Sequence, residues 1–353
     1  MSTVKEKEIL LILDNEGPQT LNDNAQENTV ALAKECGLGE QVGIDFYKRL
    51  SNIDDIWGDF HRIPKDPTYS SGHTLKVVLP FFKAMGATSQ WLYDFSKDSL
   101  LVVPNISRVL ASLNGKYNVW MISTSYEFFI RAFCDRVGFN FTRARCTFVE
   151  RFDEIRVTAE EAVRLLRFVK EVAAMPVIEY NEKTGEVIPE HRAYYERFTS
   201  FIWETVYNMP VGELLRIVHP VGQAQKREAV EKICREFGVP KTKVMYVGDS
   251  QTDVQVVEWL HGEDLTMMFN GKGRVCSLSD IMYIGEDARV IEDIADFFAE
   301  KGRQAVIDYY MVPRSVKGRD LLATVTPENI GELEPKSVDK RKKFRGVHIG
   351  GLT

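Results

Sequence analysis

The sequence predicts an α/β fold built on a parallel sheet. Three observations carry this: four short apolar runs have strand length, each run ends in polar or small residues, and helical patterns separate them. Alternation of that kind belongs to sheets that bind ligands at the carboxyl ends of their strands.

The first run is "EILLILD" (8–14), which stops at Asp14 and is followed by Glu16 and Gly17-Pro18. Residues from about 20 to 100 are rich in aromatics and turn formers, as in "IPKDPTYSSGH". They far exceed the roughly dozen residues of a minimal crossover, and read as a mostly helical insertion. "VVPNISRVLASLNGKYN" reads as a helix returning to the sheet, with Pro104 early and Gly115 closing it. The second strand is "YNVWMIST" (117–124).

A second insertion spans 155–216. In "TAEEAVRLLRFVKEVAAM", apolar residues at 162, 163, 165, 166, 169, 172 and 173 make a helical stripe, and Thr158 with Glu161 fits a capping box. "NEKTGEVIP" reads as a turn. "RAYYERFTSFIWETVYNM" reads as an aromatic-rich helix whose rings belong to a core or interface. An amphipathic helix, "QKREAVEKICREFG", then leads into the strands "KVMYVGDS" (243–250) and "LTMMFNG" (265–271). From 313 the chain is polar and turn-rich. It is expected to be extended or partly ordered, with the basic run Lys340–Lys343 solvated. The expected division is therefore a core of 1–19, 101–154 and 217–312, insertions at 20–100 and 155–216, and a tail at 313–353.

Composition narrows the function. Among 353 residues the net charge is −6, which disfavours general nucleic-acid binding but leaves room for a local basic pocket. The five cysteines form no CxxC pair, and reduced thiols in a cytoplasmic protein are the simpler reading. The start, "MSTVKEKEIL", lacks an apolar signal core, and no run of about 18 apolar residues predicts a membrane span. The histidines form no HxxxH pair, and neither "GLGEQVG" nor "NGKGR" has the spacing of a nucleotide-binding loop, so no zinc, iron or nucleotide site is assigned.

Four pieces carry chemistry together. Asp14 ends a strand at the ligand edge, where an acid is otherwise an ordinary turn residue. Ser123 and Thr124 end the second strand before a helix, as either a phosphate cradle or a helix cap. Lys226 opens its helix and suits a phosphate. Gly248-Asp249, with Asp253 four residues on, places two acids across a strand-to-helix turn, a pattern that suits a hard cation such as magnesium. Arg62, Lys65 and His73 lie in the loop-like centre of the first insertion, as exposed polar groups or contacts to an anionic substrate.

This ordered set resembles the haloacid dehalogenase (HAD) superfamily of phosphatases and phosphotransferases, in the style of its phosphoserine phosphatase-like members. "ISTSYEFFIRAFCDRVGF" is similar to the second motif and its helix, and "QKREAVEKICREFGVPKTKVMYVGDSQTDV" to the third and fourth; the likeness covers about 8–18, 104–150 and 219–300. "DNEGPQTLNDNAQE" also resembles archaeal, largely methanogen, predicted phosphatases, some labelled as an energy-converting hydrogenase subunit.

The resemblance implies a Rossmann-like core with a helical cap at 20–100. It implies that Asp14 attacks phosphorus, that Ser123 (or Thr124) binds phosphoryl oxygens, and that Lys226 neutralises charge. It further implies magnesium held by Asp14, the Glu16 backbone carbonyl and Asp249, with Asp253 in support. Two departures stand out. Glu16 replaces the usual acid/base aspartate and is one methylene longer, and Ser125 replaces a common glycine. The function implied is magnesium-dependent hydrolysis of a small phosphate ester. The alternatives are a phosphotransferase or a non-catalytic regulatory or assembly subunit, either one open to self-association or to membership of a complex.

Overall fold

The computed structural model describes residues 9–316 and 320–346. Alternation along the first strand explains how the sheet is covered. In β1 (Leu10–Leu13), with Ile9 before it, Ile9, Leu11 and Leu13 enter one apolar cluster while Leu10 and Ile12 enter another on the opposite face. A strand whose two faces are both covered must be apolar throughout, which is why the run reads without gaps. The other strands are β2 (Asn118–Tyr126), β3 (Ala144–Thr147), β4 (Val244–Gly248), β5 (Leu265–Phe269), β6 (Ile281–Ile284), β7 (Arg314–Val316) and β8 (Asp320–Thr324).

Their order is β3-β2-β1-β4-β5-β6-β8-β7. The first six are parallel, and β8 runs antiparallel to both β6 and β7. Leu11 is in register with Val119 on one side and with Met245 on the other, which aligns the carboxyl ends of β1, β2 and β4. The four sequence-predicted strands are the contiguous centre, β2-β1-β4-β5. The four that the sequence reading did not assign lie outside that centre; two of them, β3 and β7, carry arginine.

The two insertions are helical and join each other. Residues 20–100 hold the helices Asn24–Glu35, Glu40–Asp59, Thr74–Ala84 and Ser89–Ser99. The second insertion holds Ala159–Ala173 and Pro189–Ser200, the former opened by the Thr158/Glu161 capping box. Phe46, Trp57 and Phe81 of the first insertion share one core cluster with Phe168, Phe198 and Trp203 of the second. The Trp57 ring lies 5.6 Å from those of both Phe198 and Trp203. Of the aromatic stripe, Phe198, Phe201 and Trp203 are therefore core, while Tyr194 is exposed.

Three readings are corrected. The helix Ile106–Lys116 runs through Gly115 rather than closing there. Residues after 313 are not an extended tail: they supply β7, β8 and a helix, Ile330–Arg345. The basic run is not uniformly solvated, because Arg341 is buried. The first eight residues and the last seven, "VHIGGLT", lie outside the described residues. All five cysteines are free, and no helix among the described residues is long and apolar enough to cross a membrane.

Candidate active site

The carboxyl ends of β1, β2 and β4 converge on a cavity of about 1140 Å³. Asp14 follows β1 directly. Its N–H donates to the Val247 carbonyl at 2.8 Å, which extends the ladder by one residue and fixes the start of the side chain. The Asn15 N–H donates to Asp14 Oδ1 at 2.7 Å, and Lys226 Nζ donates to Asp14 Oδ2 at 2.6 Å. Only 4 % of Asp14 is exposed.

Lys226 comes from the helix Gln223–Phe237 and is fully buried. Its ammonium also donates to Asp253 Oδ1 at 2.8 Å and to Thr252 Oγ1 at 3.0 Å. Burial works against the charge on Lys226, but Asp14 and Asp253 outweigh it and raise its pKa. Burial pushes the Asp14 carboxyl up, Lys226 opposes this, and Asp253 and Asp249 add to the rise.

Asp253 orients rather than faces the cavity. Its Oδ1 accepts from Lys226 and from the Tyr246 hydroxyl at 2.6 Å, and its Oδ2 accepts the N–H groups of Asp249 at 2.8 Å and Ser250 at 3.0 Å. Burial would raise its pKa, yet Lys226 and these donors hold it below the usual value. Asp249 lies beside Asp14 and lines the cavity. Ligand oxygens of Asp14, Asp249 and Asp253 all lie within 4.8 Å of one another. Gly17, at φ +100°, makes this approach possible: a Cβ there would lie 2.1 Å from Asp249 Oδ2.

Ser123 is buried within β2, which runs on to Tyr126 and makes Tyr126, not Ser123 or Thr124, the cap of the next helix; the Ser123 hydroxyl accepts the Ser125 N–H at 3.2 Å. Thr124 Oγ1 is buried without a protein partner. Both residues line the cavity. Glu16 also lines the cavity, where its Oε1 accepts the Asn24 N–H at 3.0 Å at the start of the first insertion's first helix. Burial, with Asp23 alongside, pushes Glu16 up to about 7, against the pull of the Asn24 N–H, Arg345 and Ser125.

The structure thus gathers Asp14, Glu16, Ser123, Thr124 and Asp249 on one cavity, with Lys226 and Asp253 directly behind it. Arg62, Lys65 and His73 do not line it; Arg62 and Lys65 are exposed, and His73 is buried near Gln225. The sequence reading missed the residues that close the remaining side. Arg341 and Arg345 reach in from the helix Ile330–Arg345, and a guanidinium nitrogen of Arg341 contacts Asp249 Oδ2. Arg345 Nη1 lies 3.5 Å from the same oxygen. The available signal was spacing: Leu333, Ser337, Arg341 and Arg345 recur every four residues and share one helix face. Lys272 was missed as well; burial, with Arg341 nearby, pulls its ammonium down to about 8.

No protein-family model and no curated protein matches the chain. Solved structures do. A gene product from Archaeoglobus fulgidus, 22% identical, superposes with a TM-score of 0.78 over 96% of this chain and 97% of that one, and so shares the fold. A phosphoserine phosphatase in apo form is 15% identical at a TM-score of 0.45, covering 81% of this chain and 98% of its own. A probable phosphoserine phosphatase from Vibrio cholerae is 13% identical at 0.44, covering 83% and 66%.

Proposed function

We propose that the chain is a HAD-type phosphatase that hydrolyses a small phosphate monoester through an aspartyl phosphate on Asp14. The observation that carries this reading is Asp14 itself. It is a strand-end carboxylate held by a fully buried lysine at 2.6 Å, beside a second carboxylate and facing a roomy cavity.

Each residue then has a task. The Asp14 carboxylate attacks phosphorus, and the bond from phosphorus to the ester oxygen breaks. Glu16 gives its proton to the departing oxygen; a pKa near 7 keeps a useful fraction protonated at neutrality. The ionised Glu16 next takes a proton from water, whose oxygen attacks phosphorus and releases inorganic phosphate and free Asp14. Ser123 and Thr124 offer hydroxyls to the phosphoryl oxygens, and Thr124 Oγ1 has no competing protein partner. Lys226 stays charged throughout and balances the carboxylate and phosphate.

The donor set fits magnesium, since buried carboxylate oxygens are hard ligands within reach of one centre. Asp14, Asp249 and the Glu16 carbonyl would hold it. Asp253 supports from behind, because four donors already engage its two oxygens. When bound, the cation offsets phosphate charge and orients the phosphoryl group.

The test is a panel of phosphate esters assayed with and without magnesium. Turnover that requires magnesium and disappears in Asp14→Asn is the expected result. No turnover on any ester, together with no beryllium fluoride adduct at Asp14, would overturn the reading.

A further inference from the structure

The helix Ile330–Arg345 is anchored by polar contacts to the loop that follows β5. The Ser337 hydroxyl, fully buried, donates to the Gly271 carbonyl at 2.7 Å, and Glu334 accepts the Gly273 N–H at 2.8 Å. One and two turns beyond Ser337, the same face delivers Arg341 and Arg345, which are 6 % and 5 % exposed. Arg345 is spent largely on backbone: Nε donates to the Leu21 carbonyl at 2.9 Å and Nη2 to that of Asn22. Arg341 has spare capacity. Its Nη1 holds Asp249, and its Nε is buried with no hydrogen-bond partner.

Two guanidinium groups share one buried carboxylate, and while Arg345 also faces Glu16 and Asp23, the Arg341 Nε has no hydrogen-bond partner. A desolvated cation of this kind is costly unless an anion answers it. Around it stand the acids Asp14, Asp249, Asp253, Glu16 and Asp23 and the cations Lys226, Arg341, Arg345 and Lys272. A divalent cation and a phosphate dianion arriving together add no net charge to this set. Asp249 can then serve the cation while Arg341 turns to the phosphate.

We propose that Arg341, backed by Arg345, is a phosphoryl-binding residue supplied by the C-terminal helix. The inference rests on the phosphatase reading and adds a ligand to its site. Guanidinium suits the role because its planar donors match phosphate oxygens two at a time.

The experiment measures binding of inorganic phosphate and, separately, of magnesium by calorimetry. The proteins are the wild-type chain, Arg341→Gln, Arg341→Lys and Lys343→Gln. Lys343 is on the same helix and well exposed, so its variant removes an equal charge without touching the cavity. Arg341→Gln is expected to weaken phosphate binding at least about tenfold, with Arg341→Lys in between and Lys343→Gln unchanged. Magnesium binding to Arg341→Gln is expected to hold or tighten, because Asp249 loses a competitor; a collapsed site would lose both ligands. Unchanged phosphate affinity in Arg341→Gln, an equal loss in Lys343→Gln, or loss of both ligands overturns the inference while leaving the phosphatase reading in place. A wild-type chain that binds no phosphate, with or without magnesium, overturns both.

Discussion

At the scale of the residue, Glu16 has a longer arm than the aspartate usual in the family pattern it resembles. Its extra methylene lets the carboxylate reach the Asn24 N–H at 3.0 Å, so its position is fixed by the start of the first insertion. If it serves as acid and then base, the two half-reactions respond differently to its loss. Glu16→Gln is expected to lower kcat about 10²- to 10⁴-fold. With a phenolic ester whose leaving group needs no proton, it should show a burst, because phosphorylation of Asp14 survives while water attack stalls. Glu16→Asp should also lose activity, since the shorter side chain withdraws from Asn24. A Glu16→Gln protein with a wild-type steady rate and no burst would remove Glu16 from the mechanism. The identity of this residue was legible in the sequence, whereas its hydrogen bond and raised pKa depend on a helix start eight residues away.

At the scale of the element, the loop after β1 illustrates how backbone shape sets site geometry. Gly17 combines a left-handed φ of +100° with an approach to Asp249 that leaves no room for a Cβ. Gly17→Ala must strain the backbone and displace the carboxylate. We expect a loss of about 1–2 kcal/mol in denaturant unfolding and at least about a hundredfold in kcat. Near-normal kcat would show that Asp249 is free to move. The central strands were legible because continuous apolar runs ending at Asp14, Ser123 and Asp249 leave few other readings. The C-terminal helix was not. It carries Pro335 inside, buries only Leu333 among its apolar residues, and its four-residue recurrence continues through the polar Ser337, Arg341 and Arg345, so a search for apolar periodicity passes over it.

At the scale of the whole molecule, the sheet separates chemistry from stability. The candidate site lies at the carboxyl ends of the central strands, while Asp264 lies just before the amino end of β5. Asp264 is fully buried, and neither of its oxygens has a hydrogen-bond partner on another residue. Burial, with Asp280 alongside, pushes it up to about 8, against its own backbone N–H, Arg303 and Lys241. The sign follows from proton uptake. Between the unfolded value near 4 and the folded value, the native state keeps a proton that the unfolded chain releases, so stability falls as pH climbs from about 4 to about 8. Glu27 and Asp55, each also pushed up to about 8 chiefly by burial, bend the curve the same way, so the single variant must be compared with wild type across the range. Asp264→Asn carries no charge at any pH. Its advantage over wild type is expected to grow by on the order of 3 kcal/mol between pH 5.5 and pH 8.5, the window in which wild type goes on losing stability. Thermal unfolding at both values measures this. The pH profile of kcat should be unchanged by the substitution, because the whole width of the sheet's core stands between Asp264 and the cavity. A parallel shift of both profiles would mean that the two ends of the sheet titrate as one system.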